Sequence, residues 1–273
     1  MCCEPAGHSG RTEYIEEVFK FLRLPGSPAP TSRRWSALVS QCALCRSWPA
    51  EPVCQPCLAR FNPEQRRCLH CALILPADLS GSSRTLPTLC LPCQRHPPPV
   101  TQTLAAVSYA FPWSGLIGQY KFANHPGWAP FLARLMLQNS AVIRCLAALE
   151  PDDWVLPLPL SPQRLQNRGF NQSWLLARNL VQHSRTAARS DAQLLLRIRD
   201  TRPQSQLLRE ERLTNVKGAF MVDPLRAHQI VDRHVVLVDD VMTSGASIYT
   251  AARALHHAGA AQVTAVVLAR TEP

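Results

Sequence analysis

Residues 235–248 read VVLVDDVMTSGASI, and this stretch decides the fold. Val235 to Val238 form a short apolar run rich in β-branched residues, the mark of a buried strand. Two adjacent aspartates follow, then small and hydroxylated residues, then the helix-forming GASIYTAARALHHAG. The pattern predicts a strand over His234–Val238, with Asp239 and Asp240 at its carboxyl end and a turn into a helix. Backbone N–H groups in such a turn form an anion nest, and the helix N-terminus adds its dipole. Thr243, Ser244 and Ser247 offer hydroxyls to phosphate oxygens, and Gly245 lets the backbone approach without a Cβ in the way. Two carboxylates on a phosphate would repel it. They make sense if they accept hydrogen bonds from two neighbouring sugar hydroxyls, which fits a ribose 5-phosphate. The plainer alternative is a surface Asp-Asp pair capping the turn, but capping leaves the hydroxyl–glycine–hydroxyl sequel unexplained.

Outward from this stretch, strands and helices alternate. AQVTAVVLAR follows as a strand, and TLAAVSYAF (103–111) and DWVLPLPL (153–160) read as strands upstream. AQLLLRIR is a further expected strand, and TRPQSQLLREERLTNVKGAF reads as loop, helix and short strand. GLIGQYKF, WAPFLARLMLQNSAVIRCLAAL and QSWLLARNLVQHS have helical periodicity. SPQRLQNRGFNQ reads as a polar, arginine-bearing loop. This order implies an α/β fold, a mostly parallel sheet with helices on both faces and ligands at the carboxyl ends of the strands. Residues 100–273 are the expected extent of that domain.

Residues 35–99 are rich in proline and hold eight of the eleven cysteines as four C-x-x-C pairs. The pairs are Cys42/Cys45, Cys54/Cys57, Cys68/Cys71 and Cys90/Cys93, with 8, 10 and 18 residues between them. Two thiolates on a tight turn present both sulfurs to one ion, and two such turns complete a closed tetrahedral site of the kind structural zinc prefers. Sequential pairing gives two Zn²⁺ ions, though sequence leaves crossed pairing open. His70 and His96 are spare donors, read more simply as solvated histidines. A closed sulfur site folds the region around it and does not catalyse. Cys2, Cys3 and Cys145 have no partner pattern, and Cys145 reads as a core residue.

Residues 1–34 look like an extension, with Ile15, Val18, Phe19 and Leu22 at helical spacing before a proline-rich linker. The N-terminus lacks a basic start followed by a clean apolar stretch, and no run of 18 apolar residues occurs. The expectation is a cytoplasmic protein without a membrane span. The formal net charge is +10, and only Lys20, Lys121 and Lys217 are lysines among 29 basic residues. Arginine richness suits two-point recognition of phosphate, and it equally follows from codon bias. No Ser-His-Asp or Cys-His arrangement stands out, and His256 and His257 are expected to face solvent.

The stretch VVLVDDVMTSGAS resembles the 5-phosphoribosyl-1-pyrophosphate (PRPP) signature of type I phosphoribosyltransferases. With PLPLSPQRLQNRGFNQ and TRPQSQLLREERLTNVKGAF, the chain resembles the ComF/GntX family over roughly residues 38–270, a family whose members carry an N-terminal cysteine module. NHPGW (124–128) and the N-terminal extension depart from that pattern. The resemblance implies that Asp239 and Asp240 contact ribose hydroxyls and that Thr243, Ser244, Gly245, Ala246 and Ser247 hold the 5-phosphate. It places a pyrophosphate loop at Pro157, Pro159 and Ser161. Arg164 and Arg168 then clamp the leaving group, Asn171 and Gln172 orient it or the acceptor, and Mg²⁺ arrives with the pyrophosphate. For Asn171 and Gln172 the alternative is a helix N-cap and its neighbour. Arg199, Arg202, Gln204 and Arg212 fit a mobile lid. The resemblance also implies a link to competence and DNA uptake or utilisation. Three function classes follow: a phosphoribosyltransferase, a non-catalytic PRPP or nucleotide sensor, and a protein that binds single-stranded DNA or DNA-uptake proteins. In the last, Trp35 and Trp48 are stacking platforms, with a place in the module's core as the alternative.

Overall fold

The computed structural model describes residues 41–48, 51–76, 88–122, 125–199 and 218–272. The expected extension at 1–34, Trp35, and the lid residues Arg202, Gln204 and Arg212 lie outside them. Among the described residues the helices are α1 (Gln55–Phe61), α2 (Leu91–Arg95), α3 (Trp113–Phe122), α4 (Ala129–Leu137), α5 (Ser140–Ala147), α6 (Pro162–Arg168), α7 (Gln172–Ser184) and α8 (Ala246–His257). The strands are β1 (Gln102–Ser108), β2 (Trp154–Pro157), β3 (Arg189–Ser190), β4 (Leu195–Arg197), β5 (Phe220–Val222), β6 (His234–Met242) and β7 (Gln262–Arg270).

Five strands form one sheet in the order β1-β7-β6-β2-β3, with every neighbouring pair parallel. The expected parallel sheet with helices on both faces is therefore present. Alternation along the central strands divides the core in two. Val236, Val238, Val266 and Leu268 face α3, α4, α5 and α7. Val235, Leu237, Val263, Ala265 and Val267 face α8 and the β4–β5 ribbon. Val235 to Val238 are fully buried, and burial of each such side chain stabilises by about 1.5–3 kcal/mol.

Four elements differ from the sequence reading. β6 runs past Val238 to Met242, because β7 is as long and extends the ladder: Asp239 lies opposite Val267, and Met242 opposite Arg270. The segment 162–168 is a helix and not a loop. Ser161 caps it, Pro162 opens it, and Gly169 at φ 72° ends it in a left-handed turn. The segment WAPFLARLMLQNSAVIRCLAAL is two helices, because the Asn139 side chain accepts from Ala141 N and starts a second one. AQLLLRIR contributes only Leu195–Arg197, in an antiparallel ribbon with Phe220–Val222, which starts at the last residue of the segment read to end in a short strand. Cys145 is buried in the core, and His256 and His257 are exposed, as read from sequence.

The cysteine region is sewn to this body. Cys42, Val53, Cys57 and Leu58 belong to the same apolar cluster as α3 and α4. Cys68, Cys71, Leu75 and Cys93 form a smaller cluster, held to the start of β1 where Thr103 N and Thr103 Oγ1 each donate at 2.7 Å to the carbonyls of Leu69 and His70. Arg67 adds an ion pair to Glu272 at 2.9 Å. Trp48 is 62% exposed, so it is not a core residue of the region. Among the described residues no helix is long and apolar enough to cross a membrane.

Candidate functional site

The acidic pair lies near the carboxyl end of β6, the central strand of the parallel sheet. Asp239 Oδ1 accepts from Ser173 Oγ at 3.0 Å and from Asp240 N at 2.8 Å. Asp240 Oδ1 pairs with Lys121 Nζ at 2.9 Å. Burial, then the adjacent Asp240 charge, push the Asp239 carboxyl up to about 7. Lys121 and the two hydrogen bonds pull the other way. These carboxylates are not a solvated surface pair, and neither serves merely to cap the following turn.

Downstream, Thr243 and Ser247 line a cavity of about 800 Å³, together with Asp239 and Asp240. Ser244 and Ala246 do different work. Ser244 Oγ accepts from Ala246 N at 3.4 Å, a local hydrogen bond beside the start of α8, whose N-cap is Gly245, and Ala246 is buried. Gly245 has φ +80°, and an added Cβ would sit 2.5 Å from Tyr249 Cε2 and 2.6 Å from Met242 Cε. The glycine is thus required by the loop's own packing, where the sequence suggested only room for a ligand's approach.

The opposite wall is the chain from Leu158 through Gly169. Leu158, Pro159 and Leu160 carry the strand end over the cavity, and α6 presents Arg164, Gln166, Asn167 and Arg168 to it. The Arg168 guanidinium lies over the exposed Phe122 ring at 5.2 Å, and its Nη1 donates to Gln172 Oε1 at 3.0 Å. Asn171 and Gln172 do not line the cavity. Asn171 Oδ1 accepts from Ser173 N and Trp174 N, and its Nδ2 donates to the Leu158 carbonyl at 3.2 Å, so it caps α7 and fixes the cavity wall. Gln172 is fully buried, where it holds Arg168. For both, the helix-cap alternative describes the structure. Arg199 is exposed, and its carbonyl accepts from Arg197 Nε.

Lys121, Tyr109 and Arg197 also line the cavity, and sequence reasoning assigned none of them. They come from α3, the end of β1 and β4, far apart in sequence. The one available signal was that Lys121 is among only three lysines.

The cysteines gather as the sequential pairing anticipated: Cys42, Cys45, Cys54 and Cys57 in one group, Cys68, Cys71, Cys90 and Cys93 in the other. Within each, the sulfurs lie within 4.8 Å of one another, with Cys45–Cys54 at 3.5 Å and Cys71–Cys90 at 3.6 Å. A tetrahedral ion with bonds of about 2.3 Å sets its sulfurs about 3.8 Å apart, so both groups fit one. The two are built alike. The first pair closes a turn followed by a left-handed residue, Arg46 or Ala72. The second opens a short helix with proline in its first turn. Cys54 N and Cys90 N donate to Cys42 Sγ and Cys68 Sγ, each at 3.3 Å. Burial alone would raise the Cys42 and Cys68 thiols, but backbone N–H donors outweigh it and bring them down to about 6 and about 7. Burial and the neighbouring cysteines push Cys57 and Cys71 up to about 12. Four thiolates can coexist there only around a cation. His70 and His96 join neither group among the described residues.

A family model described as a phosphoribosyl transferase domain matches residues 200–272. DNA utilization protein YhgH of Salmonella typhimurium is 34% identical over 220 residues, spanning 80% of this chain and 90% of that protein. Competence protein F of Haemophilus influenzae is 28% identical over 181 residues, 66% of this chain and 78% of that one. Competence protein ComFC of Bacillus subtilis is 25% identical over 245 residues, 84% of this chain and 95% of that one.

Proposed function

The chain belongs to the ComF family of phosphoribosyltransferase-like proteins, and from that premise we propose that its cavity binds PRPP or a related phosphoribosyl ligand. The observation that carries this reading is the convergence of Asp239, Asp240, Thr243 and Ser247 with Arg164 and Arg168 in one cavity. The carboxylates accept the ribose hydroxyls, and the 243–247 loop at the N-terminus of α8 receives the 5-phosphate. Arg164 and Arg168 face the pyrophosphate, where a planar guanidinium pairs two oxygens at once. Mg²⁺ arriving with the pyrophosphate would neutralise part of its charge, and it asks few ligands of the protein because it keeps most of its waters.

We assign zinc to both cysteine groups, since four sulfur donors in a tetrahedron suit it, and its role there is to fold the region. The names of the relatives support a role in competence and in DNA uptake or utilisation.

Turnover would require a nucleophile to replace pyrophosphate at C1 of the ribose. The cavity's part is to hold the reactants and stabilise charge on the leaving group. Pyrophosphate release from PRPP, measured with nucleobases and amines as acceptors, separates enzyme from sensor. Release that depends on both Asp239 and Arg168 makes the protein a transferase. Binding without release under every acceptor makes it a PRPP sensor. A second reading, single-stranded DNA binding through the cysteine region, is favoured by the exposed Trp48 ring. It requires affinity that falls steeply with salt and drops in Trp48→Ala.

A further inference from the structure

Arg270, the last residue of β7, is 5% exposed. Its Nε donates to the carbonyl of Cys71 at 2.7 Å. Its Nη1 donates to the carbonyl of Met242 at 3.1 Å and to that of Thr243. One rigid, planar group therefore grips two places at once. Cys71 belongs to the second cysteine group. Met242 ends β6, and Thr243 begins the 243–247 loop. Tyr249 and Met242 fill the space beside Gly245 in that loop, leaving no room for a Cβ there. Thr271 N, next in the chain, also donates to the Met242 carbonyl at 3.1 Å. No hydrogen bond among the described residues joins the first cysteine group to the 243–247 loop. Among the described residues, the hydrogen bonds of Cys42, Cys45, Cys54 and Cys57 stay within residues 42–58.

We propose that Arg270 is a positioning residue that ties the shape of the 243–247 loop to the integrity of the Cys68, Cys71, Cys90 and Cys93 group. The direction of the Cys71 carbonyl is set by the turn that four sulfurs around one ion hold closed. When that turn relaxes, the guanidinium loses an anchor, and with it the loop loses its brace. Coupling of this kind is reciprocal, so anything that orders the loop also retains the metal. The proposal rests on the phosphoribosyl reading for the loop's ligand, but not for the coupling itself.

The test uses the full, metal-loaded chain and needs no ligand. Hydrogen exchange is compared between wild type, Cys93→Ser, Cys57→Ser, Arg270→Met and Arg270→Met/Cys93→Ser. Folding is checked by the exchange of β6 and β7 amides. Cys93→Ser is expected to speed exchange of the 243–249 amides by about tenfold, and Cys57→Ser to leave them unchanged. Arg270→Met should speed them by itself, with nothing further added in the double variant. In Arg270→Lys, which keeps the charge, alkylation of Cys68, Cys71, Cys90 and Cys93 under a chelator should accelerate by about tenfold while the first group keeps its wild-type rate. If Cys93→Ser does not fold, chelator-treated wild type replaces it, with alkylation identifying the emptied group. Loop protection unchanged after loss of the second group's metal, or an equal effect from the first group, overturns the proposal. If PRPP fails to bind, the phosphoribosyl reading falls while these comparisons still decide the coupling.

Discussion

Lys121 Nζ lies 2.9 Å from Asp240 Oδ1, with the two side chains only 14% and 10% exposed. The pair joins the last turn of α3 to the acidic end of β6. It places the one buried cation of that helix against two adjacent carboxylates. Lys121→Met would leave Asp240 beside Asp239 without this partner, so it is expected to lower stability by about 2–4 kcal/mol, read from denaturant unfolding. A variant within about 0.5 kcal/mol of wild type would show that the pair contributes nothing.

Asp239→Asn should behave in the opposite way in the free protein. It removes a charge that burial and Asp240 already disfavour, so the fold should survive unharmed. The combined Asp239→Asn and Asp240→Asn variant should nevertheless lose PRPP binding, because each amide keeps one acceptor oxygen, turns the other into a donor and carries no charge to strengthen the hydrogen bonds from sugar hydroxyls. Circular dichroism and equilibrium binding on the same sample separate the two effects.

The pH dependence follows in sign. The Asp239 carboxyl, raised to about 7 by burial and by Asp240 against the pull of Lys121, holds a proton below neutrality. Sugar hydroxyls donate to the charged form, so that proton must leave on binding. Affinity should fall as pH drops below 7 and level off above it, approaching about tenfold per pH unit. Carbon NMR of the aspartate carboxyls provides the direct check. One should titrate near neutrality and vanish in Asp239→Asn, whereas a spectrum with every aspartate titrating below 5 would contradict it.

Gly245→Ala combines a left-handed backbone at φ +80° with a Cβ placed 2.5 Å from Tyr249 Cε2. It should cost about 1–3 kcal/mol and weaken phosphate binding, since Tyr249 and Met242 must move. Ser244→Ala, by contrast, should cost no more than about 1 kcal/mol, the value of one partly exposed hydrogen bond. Thermal unfolding of the two variants orders them.

Purified, reduced protein should carry two zinc ions per chain, each bound by four sulfurs. Metal analysis and X-ray absorption test both statements. Removing the metal should loosen the region around the second group first, since Cys68, Cys71, Cys93 and Leu75 are themselves the small cluster there, whereas Cys42 and Cys57 also belong to the main core. Protein free of metal yet fully folded would remove the role given to the cysteines.

The site is legible in sequence where its residues are contiguous. Asp239, Asp240 and the TSGAS loop could be read because one strand-to-helix transition carries them all. The cysteine groups could be read because their spacing is local to each turn. Lys121, Ser173 and Arg197 could not, because they come from α3, α7 and the separate β4–β5 ribbon, which only the tertiary fold brings to the end of β6. For Asn171 and Gln172 the sequence leaves both a ligand role and a helix-cap role open, for a related reason. Their position in a distinctive block says that they matter, while burial and capping say how. Arg270 left no signal at all in VVLAR, where an arginine closing an apolar strand looks like an ordinary surface charge.

The most direct test of the account is calorimetric titration of the zinc-loaded protein with PRPP and Mg²⁺, run beside the Asp239→Asn/Asp240→Asn variant. Saturable binding at one site per chain is expected in the wild type, and none in the folded variant. Equal affinity in both, or no heat from the wild type at millimolar PRPP, would contradict it.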